Sequence, residues 1–128
     1  MSFQKKIVQT DLAPQAVGTY SQGVEHGGVF YFSGQIGLAP KTGQMVEGFD
    51  AQLKQVMENI DGLLKACSLT RGHIVKTTIF LTDLKEFSKV NQAYEQFFQA
   101  PYPARSCVQV PALPKGAVVE IEVIAAKG

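Results

Sequence analysis

Arg105 is the residue best placed to do chemistry. It stands in Pro101-Tyr102-Pro103-Ala104-Arg105-Ser106-Cys107-Val108-Gln109-Val110. The two prolines stiffen the approach and hold Tyr102 out of helix. A small residue follows, then one arginine, then a short run with strand character. A guanidinium at the mouth of a strand, aimed by a rigid lead-in, is a planar fork suited to a carboxylate. The same spacing also suits an exposed surface arginine, and spacing alone leaves both readings open. Cys107 lies two residues on and shares Arg105's strand face.

A carboxylate partner is available further along. In Val118-Val119-Glu120-Ile121-Glu122-Val123-Ile124-Ala125, Glu120 and Glu122 occupy one strand face and Val119, Ile121 and Val123 the other. A turn at Leu113-Pro114-Lys115-Gly116 separates this strand from the Arg105 strand. The spacing predicts a closing hairpin; one register brings Glu120 near Arg105 or Cys107, and the sequence leaves the register open.

The elements that position these groups are readable from periodicity. Lys6-Ile7-Val8-Gln9 is a short candidate strand. Tyr20–Glu25 and Val29–Gly34 flank His26-Gly27-Gly28, which predicts a hairpin on a glycine turn. Ala39-Pro40-Lys41-Thr42-Gly43 is a second turn. From Phe49 to Cys67 the apolar period becomes helical, with Leu53, Val56, Met57, Ile60, Leu63 and Leu64 on one stripe and Asp50 placed to cap its start. Ile74–Leu81 is rich in β-branched residues and reads as a strand. A second helix is expected from Asp83, with Glu86 completing a capping box and Leu84, Phe87, Val90, Asn91, Tyr94, Phe97 and Phe98 along its apolar side. Asn91 inside that stripe needs partners, and the expectation is that it ties a neighbouring backbone segment as structural support.

The fold class that follows is α+β: one mixed sheet with two helices on one face, in a single domain over 1–128. Two helices cover one face only. Phe30 and Phe32 oppose Val29 and Tyr31, and Ile79 and Leu81 oppose Phe80, so the second face is also apolar. That predicts a homo-oligomer that buries it.

Composition narrows the function. The net charge is +1 and Lys5-Lys6 is the only adjacent basic pair. No nucleic-acid partner is expected from that balance. No apolar run approaches the ~20 residues of a membrane span. The start lacks a secretory h-region, and Cys67 and Cys107 form no Cys-x-x-Cys. A cytoplasmic protein with free thiols is expected. His26 and His73 are isolated, so no metal site is expected.

Several segments, taken together, resemble the RidA (YjgF-type) family. They are Ala16-Val17-Gly18-Thr19-Tyr20-Ser21-Gln22, Ser33-Gly34-Gln35-Ile36, Ile74-Val75-Lys76-Thr77-Thr78, Val90-Asn91-Gln92-Ala93-Tyr94, Pro103-Ala104-Arg105-Ser106, Leu113-Pro114-Lys115-Gly116-Ala117 and Val119-Glu120-Ile121-Glu122. Each is weak alone; in order and at family spacing they are specific. Thr19 and Gly37 depart from the pattern, each standing where proline is usual.

The resemblance implies a chorismate-mutase-like fold, a homotrimer with sites between subunits, and no cofactor. It implies hydrolytic deamination of small 2-imino acids to 2-oxo acids and ammonia, on imines released by pyridoxal-phosphate dehydratases. Arg105 would clamp the substrate carboxylate, and Glu120 would activate water and pass protons to nitrogen. Tyr20 would bond substrate or close the pocket, or else be a core tyrosine. Ser33 and Gly34 would offer a strand end where backbone meets substrate, and Cys107 would line the pocket. Two other classes remain at this point: a non-catalytic module that senses small carboxylates, and, more weakly, RNA cleavage or translation inhibition.

Overall fold

Gly27 and Gly28 both adopt positive φ, 60° and 83°. They form the expected glycine turn between β2 (Gly23–His26) and β3 (Val29–Phe32), shortened to two residues because His26 pairs with Val29 and belongs to β2. The computed structural model describes residues 3–128. β1 (Lys6–Val8) pairs antiparallel with β2. The helical stripe predicted from Phe49 gives α1 (Phe49–Ala66), and its six apolar positions are all buried. β4 (Ile74–Leu81) has the predicted bounds. α2 (Phe87–Phe97), β5 (Ala104–Gln109) and β6 (Val119–Ala126) follow.

Two caps differ from expectation. Asp50 lies inside the first turn of α1; the residue before the helix is Gly48 at φ 91°, with no side-chain cap. Asp50 instead faces Lys89 Nζ at 3.4 Å. Asp83 does cap, accepting from the Lys85 N–H at 2.9 Å, but it caps a separate 3-10 turn, Leu84–Glu86. Glu86 pairs with Lys89 at 3.2 Å rather than reaching back, so α2 proper starts at Phe87.

The sheet order is β1-β2-β3-β6-β4-β5. The expected closing hairpin is absent: β5 runs parallel to β4, and β6 lies on the far side of β4, antiparallel to it. The reason is visible in the strands themselves. β6 alternates Val119, Ile121, Val123 and Ala125 into the core and is paired on both sides, whereas five of six β5 residues are exposed. A strand that buries little belongs at an edge. A strand reached from β4 through α2 returns parallel by a crossover, which makes the sheet mixed.

Both helices pack on one face. The core joins Leu53, Val56, Ile60 and Leu63 of α1 and Val90 and Tyr94 of α2 to Phe30, Phe32, Ile79, Leu81 and Ile121 of the sheet. On the other face the register aligns Ile7, Val24, Tyr31 and Ile124 across four strands. Ile7 and Tyr31 are 56% and 47% exposed there, so this row of apolar groups lies open in the single chain.

Candidate functional site

β5 aims Arg105 towards the helices. Its register partner is Thr77, and Thr77 in turn faces Val123; both are buried under the helical layer. α2 supplies the groups that meet the guanidinium. Phe87, Asn91 and Tyr94 fall at i, i+4 and i+7 and therefore on one side of the helix. Arg105 Nη1 donates to Asn91 Oδ1 at 2.9 Å. The guanidinium carbon lies 5.0 Å from the Phe87 ring centroid and 5.7 Å from that of Tyr94, within cation–π range.

Asn91 thus serves differently from expectation: it holds a side chain, not a backbone segment. Backbone ties are made by amides that sequence reasoning passed over. Gln22 accepts from the Thr10 N–H and donates to the carbonyls of Thr10, Ala13 and Pro14. Asn59 donates to the carbonyls of Ile36 and Leu38, and Gln52 accepts from the Val118 N–H. A signal for two of these was present, since Gln52 and Asn59 sit four before and three after Val56 on the buried stripe of α1.

Cys107 occupies the same side of β5 as Arg105, opposite Ile79. Burial pushes its thiol up, against the opposing pull of the Arg105 charge, so it stays protonated near neutral pH. Among the described residues Arg105 enters no ion pair; the carboxylates that do pair go to Arg71, Lys89 and Lys127.

The remaining candidates gather elsewhere. Tyr20, Ser33, Gly34 and Glu120 line one cavity of about 390 Å³, together with Pro114 and Lys115. Glu120 enters it from the face of β6 that points away from the helices, opposite Phe80. Gly34 is packed against the Glu120 side chain. An alanine Cβ at 34 would fall 2.9 Å from Glu120 Cδ and 3.2 Å from its Cγ, so only glycine leaves the carboxylate in place. Ser33 donates its hydroxyl to the Ser21 carbonyl at 2.6 Å and its N–H to the Gln22 carbonyl at 2.9 Å, which fixes the cavity wall. Tyr20 is 54% exposed at the rim, and its hydroxyl accepts from the Val17 N–H at 3.3 Å.

Glu120 is half-buried. Burial raises its carboxyl above the usual range, and the like charge of Glu122 on the same strand face raises it further. That places it closer to neutrality than a free glutamate and suits it to moving protons.

The chain therefore carries two separate groups of candidate residues, each a candidate half-site. One holds a cation, Arg105, with Cys107 and Asn91. The other holds a carboxyl, Glu120, with Tyr20, Ser33 and Gly34. They lie on opposite faces of the sheet. The register separates Arg105 from Glu120 by two strand spacings, roughly 9 Å, and three residues along the strand, roughly 10 Å. The expected approach of Glu120 to Arg105 within one chain is not made, because β4 stands between their strands.

Comparison with known proteins gives consistent matches over nearly the whole chain. The family model described as Endoribonuclease L-PSP matches residues 10–127. A 2-iminobutanoate/2-iminopropanoate deaminase from Salmonella typhimurium is 47% identical over 125 residues, covering 95% of this chain and 98% of that protein. A protein of the same name from Bos taurus is 47% identical over 128 residues, covering 99% and 93%. Among solved structures, YyfA of the Rid family from Yersinia pestis superposes with TM-score 0.94 at 48% identity, covering 97% and 100%. E. coli TdcF with bound serine superposes with TM-score 0.91 at 44% identity, covering 96% and 99%.

Proposed function

The chain belongs to the Rid family, the RidA (YjgF-type) proteins, and from that premise we propose that it is a 2-iminobutanoate/2-iminopropanoate deaminase, hydrolysing small 2-imino acids to 2-oxo acids and ammonia. The observation that carries this reading is the state of Arg105. It is an exposed guanidinium held by an amide and two rings, with its charge unmatched by any carboxylate of the described chain.

The half-sites become one site when chains assemble. We place Arg105, Cys107 and Asn91 of one copy against Tyr20, Ser33, Gly34 and Glu120 of the next, in a homotrimer of chorismate-mutase-like folds. The row Ile7, Val24, Tyr31 and Ile124 supplies apolar area for that assembly.

In this site Arg105 takes the substrate carboxylate by two parallel hydrogen bonds. The substrate's iminium carbon, protonated at nitrogen, is already electrophilic, so no covalent nucleophile is needed. Glu120 accepts a proton from water as its oxygen bonds to that carbon. The tetrahedral adduct then receives the proton at nitrogen from Glu120. Glu120, ionised again, takes the proton of the adduct's hydroxyl as the C–N bond breaks and the carbonyl forms; ammonia leaves with that proton as ammonium, and the 2-oxo acid is released. The raised carboxyl of Glu120 serves each of these transfers. Tyr20 at the rim closes the pocket over a ligand, and the protonated Cys107 lines it without attacking. These steps call on no metal or organic cofactor. The near-neutral charge gives RNA no electrostatic footprint, which favours the small-molecule reading over nucleic acid. No helix among the described residues is long and apolar enough to cross a membrane, and we place the reaction in the cytoplasm beside the dehydratases that generate the imines.

The test is a coupled assay. A threonine dehydratase generates 2-iminobutanoate, and the purified chain is expected to accelerate imine decay with matching release of 2-oxobutanoate. Saturable 2-oxo acid binding without any acceleration would instead make the cleft a sensor of small carboxylates.

The pH profile gives a second check. Glu120 must be ionised to take the water proton, so kcat/KM falls on the acid side with its titration. Glu122 holds that titration up by like-charge repulsion. Glu122→Gln is therefore expected to move the acid limb to lower pH. An unmoved or raised limb would detach it from Glu120.

A further inference from the structure

Two arginines of this chain show opposite designs. Arg71 is matched: Nε and Nη2 donate to the two Asp61 oxygens at 3.0 and 2.7 Å, and the guanidinium stacks 3.8 Å above the Phe97 ring. Arg105 makes the same kinds of contact with the carboxylate left out. Its acceptor is the Asn91 amide and its rings are Phe87 and Tyr94.

The neutrality extends beneath it. Tyr94 Oη and Thr77 Oγ1 are buried, face one another within reach of the Arg105 field, and make no well-formed hydrogen bond among the described residues. Burial pushes the Tyr94 hydroxyl up to about 12, so it keeps its proton. Cys107 alongside stays a thiol. An amide, two rings, two hydroxyls and a thiol therefore surround one cation.

The physical consequence concerns ligand competition. A carboxylate in the chain would fix the guanidinium equally well, but it would occupy the fork that a ligand carboxylate needs. A neutral acceptor sets the direction of the fork and leaves its charge for the ligand. Asparagine and aspartate are nearly isosteric, so the choice between them at position 91 separates aim from charge.

We propose that the Phe87, Asn91 and Tyr94 side of α2 is a charge-silent positioning cradle, which aims Arg105 through neutral contacts and thereby sets the affinity of the site for a small carboxylate. Asn91 is the positioning residue at its centre. The proposal deepens the deaminase reading and rests on it.

The experiment compares wild type, Asn91→Asp and Asn91→Leu, with 2-oxobutanoate binding by calorimetry, imine turnover and thermal melting. Asn91→Asp keeps the acceptor, gains an ion pair with Arg105, and is expected to melt no lower than wild type. Its affinity for 2-oxobutanoate should fall at least 10-fold and its KM should rise in parallel, with kcat changed much less. Asn91→Leu loses the aim but keeps the free charge, so its affinity should fall less than that of the aspartate variant. Affinity of Asn91→Asp within twofold of wild type, or no worse than that of Asn91→Leu, overturns the proposal. Wild type that neither binds 2-oxobutanoate nor turns over imine overturns the deaminase reading, and the cradle with it. Turnover by wild type with unchanged binding in Asn91→Asp overturns the cradle alone.

Discussion

Arg105→Ala is expected to lower kcat/KM on freshly generated 2-iminobutanoate by about 10²- to 10³-fold while leaving the protein folded and assembled. The magnitude follows from the bonds removed. Two charge-assisted hydrogen bonds to a carboxylate are worth about 3–5 kcal/mol together, and each 1.4 kcal/mol is about tenfold. The substrate is small, and its carboxylate is the strongest handle it offers. The fold should not suffer, because Arg105 is exposed on an edge strand and enters no ion pair among the described residues. Arg105→Lys keeps the charge without the planar fork and is expected to fall between. Single-turnover kinetics beside a melting curve decide the matter. A folded alanine variant within threefold of wild type would remove the clamp from the mechanism.

The second expected result is recovery from two inactive parents. Glu120→Gln removes the proton carrier and should lower kcat by about 10²- to 10⁴-fold, the range for general acid–base groups. It should melt no lower than wild type, since it also removes a carboxylate that burial disfavours. Coexpressed in equal amounts, differently tagged Arg105→Ala and Glu120→Gln chains assemble at random. A shared site is intact when its arginine comes from the second variant and its glutamate from the first, and every mixed trimer contains one such site among its three. Doubly tagged trimers are thus expected to show about one third of wild-type activity. Activity no higher than that of either parent would show that each chain supplies both residues to its own site.

Local chemistry was legible in the sequence where it depends on near neighbours. The stripe of α1, the bounds of β4 and the glycine turn of the first hairpin followed from spacing and residue type. The strand order was not legible, and the reason is physical. Alternation states which residues share a face, not which strand lies beside which. Glu120 and Arg105 were rightly given to alternating strand positions, yet the connection between β5 and β6 passes over β4, and short sequence separation did not make them partners. The caps failed similarly. Asp50 and Glu86 have the right types at the right offsets, but Lys89 attracts Asp50 across the gap between α1 and α2 and Glu86 from one turn along its own segment. Asn91 does find a partner, but it is half-buried, and that partner, Arg105, lies on a strand that no local pattern could place.

The sheet order also sets the rigidity of the two proposed partners. Glu120 rides on a strand hydrogen-bonded along both flanks at the centre of the sheet, where opening demands disruption of the whole domain. Arg105 rides on the outermost strand, tethered along a single flank. A stiff proton carrier facing a compliant anion grip lets product escape by loosening the grip alone, so turnover need not disturb the alignment on which bond breaking depends.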